Sequence, residues 1–111
     1  MTKQEKQARR LVRERSGGIC EVCGLRPATN FQHRKNRSQG GRWSAANGLD
    51  VCGSGTTGCH GEIHSSPSKA YAAGWSVHSW SDETEVPVRT RFGLVFLDAE
   101  GGYEVVGHVD A

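Results

Sequence analysis

Four cysteines constrain this chain more than anything else in it. They come as two pairs, Cys20-x2-Cys23 and Cys52-x6-Cys59, with 28 residues between Cys23 and Cys52. Of 111 residues, 35% are hydrophobic and 7% aromatic, so there is little apolar surface to bury. A chain of this size and polarity is expected to need a staple such as a metal or a disulfide. Three uses of the thiols compete: two disulfides, buried free thiols, or four thiolates around one ion. The opening segment MTKQEKQARRLVRERSGG has no apolar core of the signal-peptide kind. The longest apolar stretch, Gly93–Leu97, is far too short to span a bilayer. The expectation is therefore a soluble, cytoplasmic protein, and a reducing compartment favours thiolates on zinc over disulfides.

Two short loops can present four sulfurs tetrahedrally and leave no open coordination position, so the expected zinc is structural. Such an ion supplies on the order of 10 kcal/mol of folding free energy. The second spacing is wide, and Gly53, Gly55 and Gly58 are expected to make its loop pliable. A Cys3His site, with His60 in place of one cysteine, is the less favoured variant.

The net charge of +2 conceals an asymmetry. Residues 1–44 carry 11 Lys and Arg against 3 Asp and Glu, whereas residues 45–111 carry 3 against 9. A basic half points to a polyanion, with nucleic acid first in line; a solvated helix face is the equal alternative.

Residues 2–15 lack Gly and Pro and predict a helix stopped by Ser16-Gly17-Gly18. Its narrow stripe of Ala8, Leu11 and Val12 predicts weak docking, with Arg9, Arg10, Arg13 and Arg15 in solvent or near phosphates. Segments 28–33 and 48–52 read as short strands. CHGEIHSS predicts a short helix weakened by Gly61. SPSKAYAAG predicts another, with Ser66 as N-cap, Pro67 first and Gly74 as stop. In the tail, two β-rich runs around Asp98-Ala99-Glu100-Gly101-Gly102 signal a β-hairpin. The expected organisation is a basic helical arm over residues 1–18, a core over 19–66 and an extension over 67–111.

His60 and His64 lie one turn apart on a single predicted helix face. The pair suits a second metal with open positions, or equally a polar helix face. Their position beside the zinc-tied segment, opposite His33 in the basic loop QHRKNRSQGG, favours the metal. His78 and His108 show no ligand spacing and read as surface or structural residues. Trp43, Trp75 and Trp80 read as packing anchors rather than as rings that stack on bases.

His33, Asn47 and His60 stand in the order H, N, H within the setting CxxC…QHR…GG…N…C…CH…IH. In this the chain resembles the HNH endonucleases of the ββα-metal (His-Me finger) group, in particular small phage-type members with a four-cysteine zinc site. The resemblance covers about residues 19–66. It implies a small α+β protein: a zinc-stapled ββα-metal core with an N-terminal basic helix and a C-terminal β-hairpin.

The resemblance also implies roles. His33 would be the general base, Asn47 would brace the loop that aims it, and His60 and His64 would hold a catalytic divalent ion such as Mg²⁺ or Mn²⁺. Gln32 stands where the family usually has Asp or His, and would offer that ion a carbonyl oxygen. Cys20, Cys23, Cys52 and Cys59 would bind Zn²⁺. Arg34, Lys35, Arg37 and Arg42, with Arg9 and Arg13 of the first helix, would contact DNA phosphates. The implied activity is DNA nicking or cutting that leaves 5′-phosphate and 3′-hydroxyl ends. The implied partner besides DNA is the phage terminase machinery, with a host-cytoplasm setting if the chain is phage-encoded. A non-catalytic zinc-dependent DNA-binding module of the same fold is the alternative.

Overall fold

Thr2 opens the first element: its side chain accepts a hydrogen bond from the Glu5 N–H at 3.1 Å, while Gly17, at φ 66°, ends it. Helix α1 spans Lys3–Ser16 in the computed structural model, which describes residues 1–107. His108 lies outside the described residues.

Strands β1 (Asn30–His33) and β2 (Gly48–Val51) pair antiparallel, with Phe31 opposite Asp50 and His33 opposite Gly48. Helix α2 (Gly58–Ser65) follows directly, and α3 (Pro67–Ala73) begins at Pro67 and stops at Gly74. Ser66 precedes α3 as expected, but its side chain makes no capping hydrogen bond. The tail is more than the expected hairpin. Strands β3 (Val88–Thr90), β4 (Gly93–Leu97) and β5 (Tyr103–Gly107) form a three-stranded antiparallel sheet. Among the described residues no helix is long and apolar enough to cross a membrane.

One apolar cluster runs through both the expected core, 19–66, and the expected extension, 67–111. It joins Cys20, Leu49, Val51 and Cys52 to Ile63, Ala70, Trp75, Val88, Val95 and Leu97. The N-terminal helix is no loose arm either. Ala8 and Val12 are buried as the stripe predicts, and polar contacts fasten the helix as well. Arg13 makes two bonds to the Asp50 carboxylate, at 2.6 and 3.1 Å, and Ser16 Oγ donates to the same group at 2.7 Å.

Arg15, expected in solvent or near phosphates, instead has a side chain 1% exposed against a fully buried Glu21. Its guanidinium forms a bidentate pair with that carboxylate at 2.7 and 2.9 Å and donates to the Ala45 and Gly48 carbonyls at 2.8 and 2.7 Å. The physical reason for the correction is that α1 packs against β2, where Arg15 finds a charge partner and two carbonyls that accept from its remaining N–H groups.

Trp75 is an anchor, buried and donating to the Arg89 carbonyl at 2.8 Å. Trp80 is not: it is 80% exposed.

Removing one partner of a buried ion pair strands the other, whereas an exposed pair contributes little. Arg15→Met should lower the unfolding free energy by about 3–5 kcal/mol. Arg10→Met, which breaks the exposed Arg10–Glu14 pair, should cost less than about 1 kcal/mol. Urea denaturation of the two variants measures both; equal losses would contradict this account of α1.

Candidate functional site

The two cysteine loops converge. Sulfurs of Cys20, Cys23, Cys52 and Cys59 all lie within 4.8 Å of one another, with Cys23 and Cys52 at 3.9 Å. All four are free thiols, so neither disulfide pairing is present. Four thiolates at about 2.3 Å from one ion would stand about 3.8 Å apart, so this donor set fits a shared metal ion. Backbone N–H groups of Cys23, Leu25 and Cys59 point at the Cys20, Cys23 and Cys52 sulfurs at 3.5, 3.5 and 3.4 Å. Such donors favour thiolate over thiol. At Cys23 burial works the other way, but the Leu25 N–H and the neighbouring thiols bring it down to about 7. Burial pushes Cys20 and Cys59 up.

The loop between Cys52 and Cys59 is tight rather than pliable. Gly53 has φ 92°, and a Cβ there would lie 2.0 Å from the Thr57 carbonyl oxygen. At Gly61 a Cβ would meet the Thr56 carbonyl carbon at 2.5 Å. The glycine that weakens α2 locally is what lets this loop close onto it.

Cys59 is the second residue of α2, and His60 follows it. His60 Nε2 and His64 Nε2 stand 3.2 Å apart across one helical turn, ring centroids 4.7 Å apart. Two imidazole nitrogens each about 2.1 Å from one ion would be separated by about 3.0–3.4 Å. The pair therefore fits a shared ion as well as a mutual hydrogen bond. His60 Nδ1 is buried without a partner, and burial, then His64, lowers the His60 pKa. Among the described residues, the four thiols are the one group of three or more His, Cys, Asp or Glu side chains close enough to share an ion. The histidine pair thus brings two nitrogens and no third ligand of those types.

Adjacent strand residues face opposite ways. Gln32 turns inward, 5% exposed, and its Nε2 donates to the His33 carbonyl at 2.8 Å. Phe31 and His33 share the other face with Trp43, whose ring centroid is 4.3 Å from that of His33. His33 Nε2 is buried and has no hydrogen-bond partner. Phe31 was legible as a neighbour from strand alternation; nothing in the spacing marked Trp43.

Asn47, fully buried, ties both ends of the loop after His33. Its Oδ1 accepts from the Lys35 N–H at 2.7 Å, and its Nδ2 donates to the Lys35 and Arg42 carbonyls, each at 3.0 Å.

The basic residues divide. Arg34, expected at a phosphate, is 1% exposed and is corrected to a structural role. It donates to the carbonyls of Gly74, Ala46, Glu83 and Val86, each at 2.8 Å. Burial, with Arg15 adding positive charge, lowers it to about 10, which leaves it charged at neutral pH. Lys35 is largely covered and pairs with Glu83 at 3.2 Å, and Arg13 is held by Asp50. Three cations remain exposed around His33 or its loop. The Arg9 guanidinium, which pairs with Glu5 at 3.0 Å, lies 4.9 Å from the Trp43 ring centroid and that of Arg37 5.9 Å, while Arg42 is exposed one residue before Trp43.

Compared with known proteins, the chain matches no family model, no curated protein and no solved structure.

Burial, then Arg37 and Arg9, holds His33 below the ordinary imidazole value of 6.5, with Glu5 opposing. Because the folded value is depressed, the unfolded chain binds more protons just below pH 6.5. The stability His33 contributes is complete above pH 6.5 and is lost as pH falls through the lowered value. NMR titration should place the His33 ring midpoint below 6.5, and a midpoint above it would contradict the burial of Nε2.

Proposed function

We propose that this protein is a metal-dependent DNA endonuclease of the HNH type, with zinc at the four cysteines as its structural ion. The observation that carries the reading is the pair of imidazole nitrogens 3.2 Å apart on the short helix whose first turn holds a cysteine of the thiol cluster. The order of elements, an antiparallel strand pair followed by a helix, supports it, as does a desolvated, unpartnered His33 at the end of the first strand.

Phosphodiester hydrolysis needs an in-line water, a group to take its proton, and positive charge on the non-bridging and leaving oxygens. His33 is neutral near pH 7, because its environment disfavours the imidazolium, so its free nitrogen can accept that proton. Asn47 holds the loop after His33 to a fixed shape through three hydrogen bonds. Arg9, Arg37 and Arg42 neutralise backbone phosphates without reading bases. His60 and His64 would hold the divalent ion, which supplies charge neutralisation at the phosphate when bound. Phage DNA packaging with the terminase machinery is the setting in which this activity is proposed to serve.

A second reading has an observation in its favour. Gln32 faces inward with its amide on its own neighbour's carbonyl, and no third His, Cys, Asp or Glu joins the histidine pair. That favours a zinc-dependent DNA-binding module without catalysis. Plasmid nicking with Mg²⁺, Mn²⁺ or Ni²⁺ separates the two. The nuclease reading expects wild-type nicking and a loss of about 10²–10⁴ in rate for His33→Ala, with DNA binding retained. If the wild type binds DNA and leaves it intact under every metal, the protein is a binding module.

A further inference from the structure

Trp80 is 80% exposed, yet its indole is held in register. It lies parallel to the His78 ring, with 5° between planes and 4.4 Å between centroids. His78 in turn lies parallel to Tyr71 of α3, at 3.9 Å and 5°. The result is a column of three aromatic planes standing on a helix, with the outer face of the last one in solvent. A single exposed apolar residue is ordinary on a protein surface; one aligned as the end of a stack is a prepared surface for another planar ring.

The column borders a cavity of about 400 Å³ whose lining includes Lys35, Gly40, Arg42, Trp80, Asp82 and Glu83. Asn47 bonds to both Lys35 and Arg42, so one wall of this groove is the loop that follows His33. The charges in it are uneven. Glu83 already answers Lys35, and Asp82 accepts from the Thr84 N–H and hydroxyl at 2.8 and 2.6 Å. Arg42 has no ion-pair partner among the described residues. A phosphate beside Trp80 would face two carboxylates, whereas an uncharged planar base would not. The phosphate belongs at Arg42, and the ring belongs on the indole.

We propose that Trp80 seats one unpaired nucleobase of a DNA strand whose phosphate lies at Arg42, so that the substrate is DNA opened or single-stranded beside the His33 loop. This rests on the nucleic-acid reading above and narrows it. A base inside a duplex has both faces covered by its neighbours and cannot reach the indole; an unstacked one can.

The test is anisotropy binding of a single-stranded deoxyoligonucleotide and of the matching duplex to the zinc-loaded protein, without added catalytic metal. Trp80→Ala should bind the single strand roughly 5- to 150-fold more weakly, with a smaller loss for duplex. Trp80→Phe, which keeps a ring on His78, should stay within about threefold of wild type. The dependence of affinity on salt should be unchanged in Trp80→Ala, because no ion pair is removed. Tryptophan emission should be quenched by the single strand in the wild type and less so in Trp80→Phe.

The proposal is overturned if Trp80→Ala leaves the ratio of single-strand to duplex affinity unchanged, or if the wild type does not bind single strands. Wild-type plasmid nicking reports separately on the nuclease reading. Nicking together with an unaltered affinity ratio removes the base seat alone. No nicking together with a Trp80-dependent ratio removes the nuclease and keeps the seat.

Discussion

Four sulfur atoms from two loops, 28 residues apart along the chain, sit within 4.8 Å of one another, and much of the molecule is arranged around that meeting. Crowded thiols cannot all ionise by themselves, since each thiolate raises the next. A shared cation reverses the sign of that coupling. Cys20 and Cys52 also belong to the apolar cluster, so the same residues end the core and begin the donor set. Cys52 follows β2 and Cys59 lies in the first turn of α2. An ion held there would fix the strand to the helix that carries His60 and His64. The sulfur cluster therefore decides where the imidazoles can be.

Polar contacts complete what a small apolar core leaves undone. Glu21 and Arg34 are as buried as the core leucines Leu49 and Leu97, and the side chain of Arg15 is covered too. Glu21 lies between Cys20 and Val22, and its carboxylate holds Arg15 and the Asp50 N–H, the latter at 2.8 Å. Its carbonyl accepts from Arg91 at the β3–β4 turn, at 2.8 Å. One residue beside a cysteine thus ties together α1, β2 and the C-terminal sheet. Arg34 does the same for the loop after β1 and the segment 74–86, reaching carbonyls 40 to 52 residues away. These side chains specify how the segments meet, a role for which planar guanidinium groups are suited by their fixed fork of donors.

What the sequence revealed and what it hid follow the range of the interactions. Helix ends at Gly17, Pro67 and Gly74 are legible because a cap acts within one turn, whereas the sequence reading places Thr2 inside the helix that it caps. Cysteine spacing and the His60–His64 interval were legible for the same reason. The burial of Arg15 and Arg34 was not, because their partners are distant carbonyls that no local pattern announces; a run of basic residues looks alike whether it faces water or carbonyls. β3 has three residues, too few to show an alternation, and exists through its pairing with β4. Trp80 reads as a packing anchor because its ring type favours burial, while its stacking on His78 is a property of the folded chain. Of the basic set expected at DNA, Arg9, Arg13, Arg37 and Arg42 are exposed, Arg13 with Asp50 as its partner, and Arg34 is buried.

Sulfur for the frame and nitrogen for the exchangeable ion is the claim on which the functional reading turns. Metal stoichiometry of the purified protein, before and after dialysis, tests it most directly in the wild type and in His60→Ala/His64→Ala. The account predicts one zinc per chain that survives dialysis in both proteins, and a second divalent ion that binds reversibly to the wild type alone. A folded chain that retains no metal, or a tightly held zinc that departs with the two histidines, would contradict it.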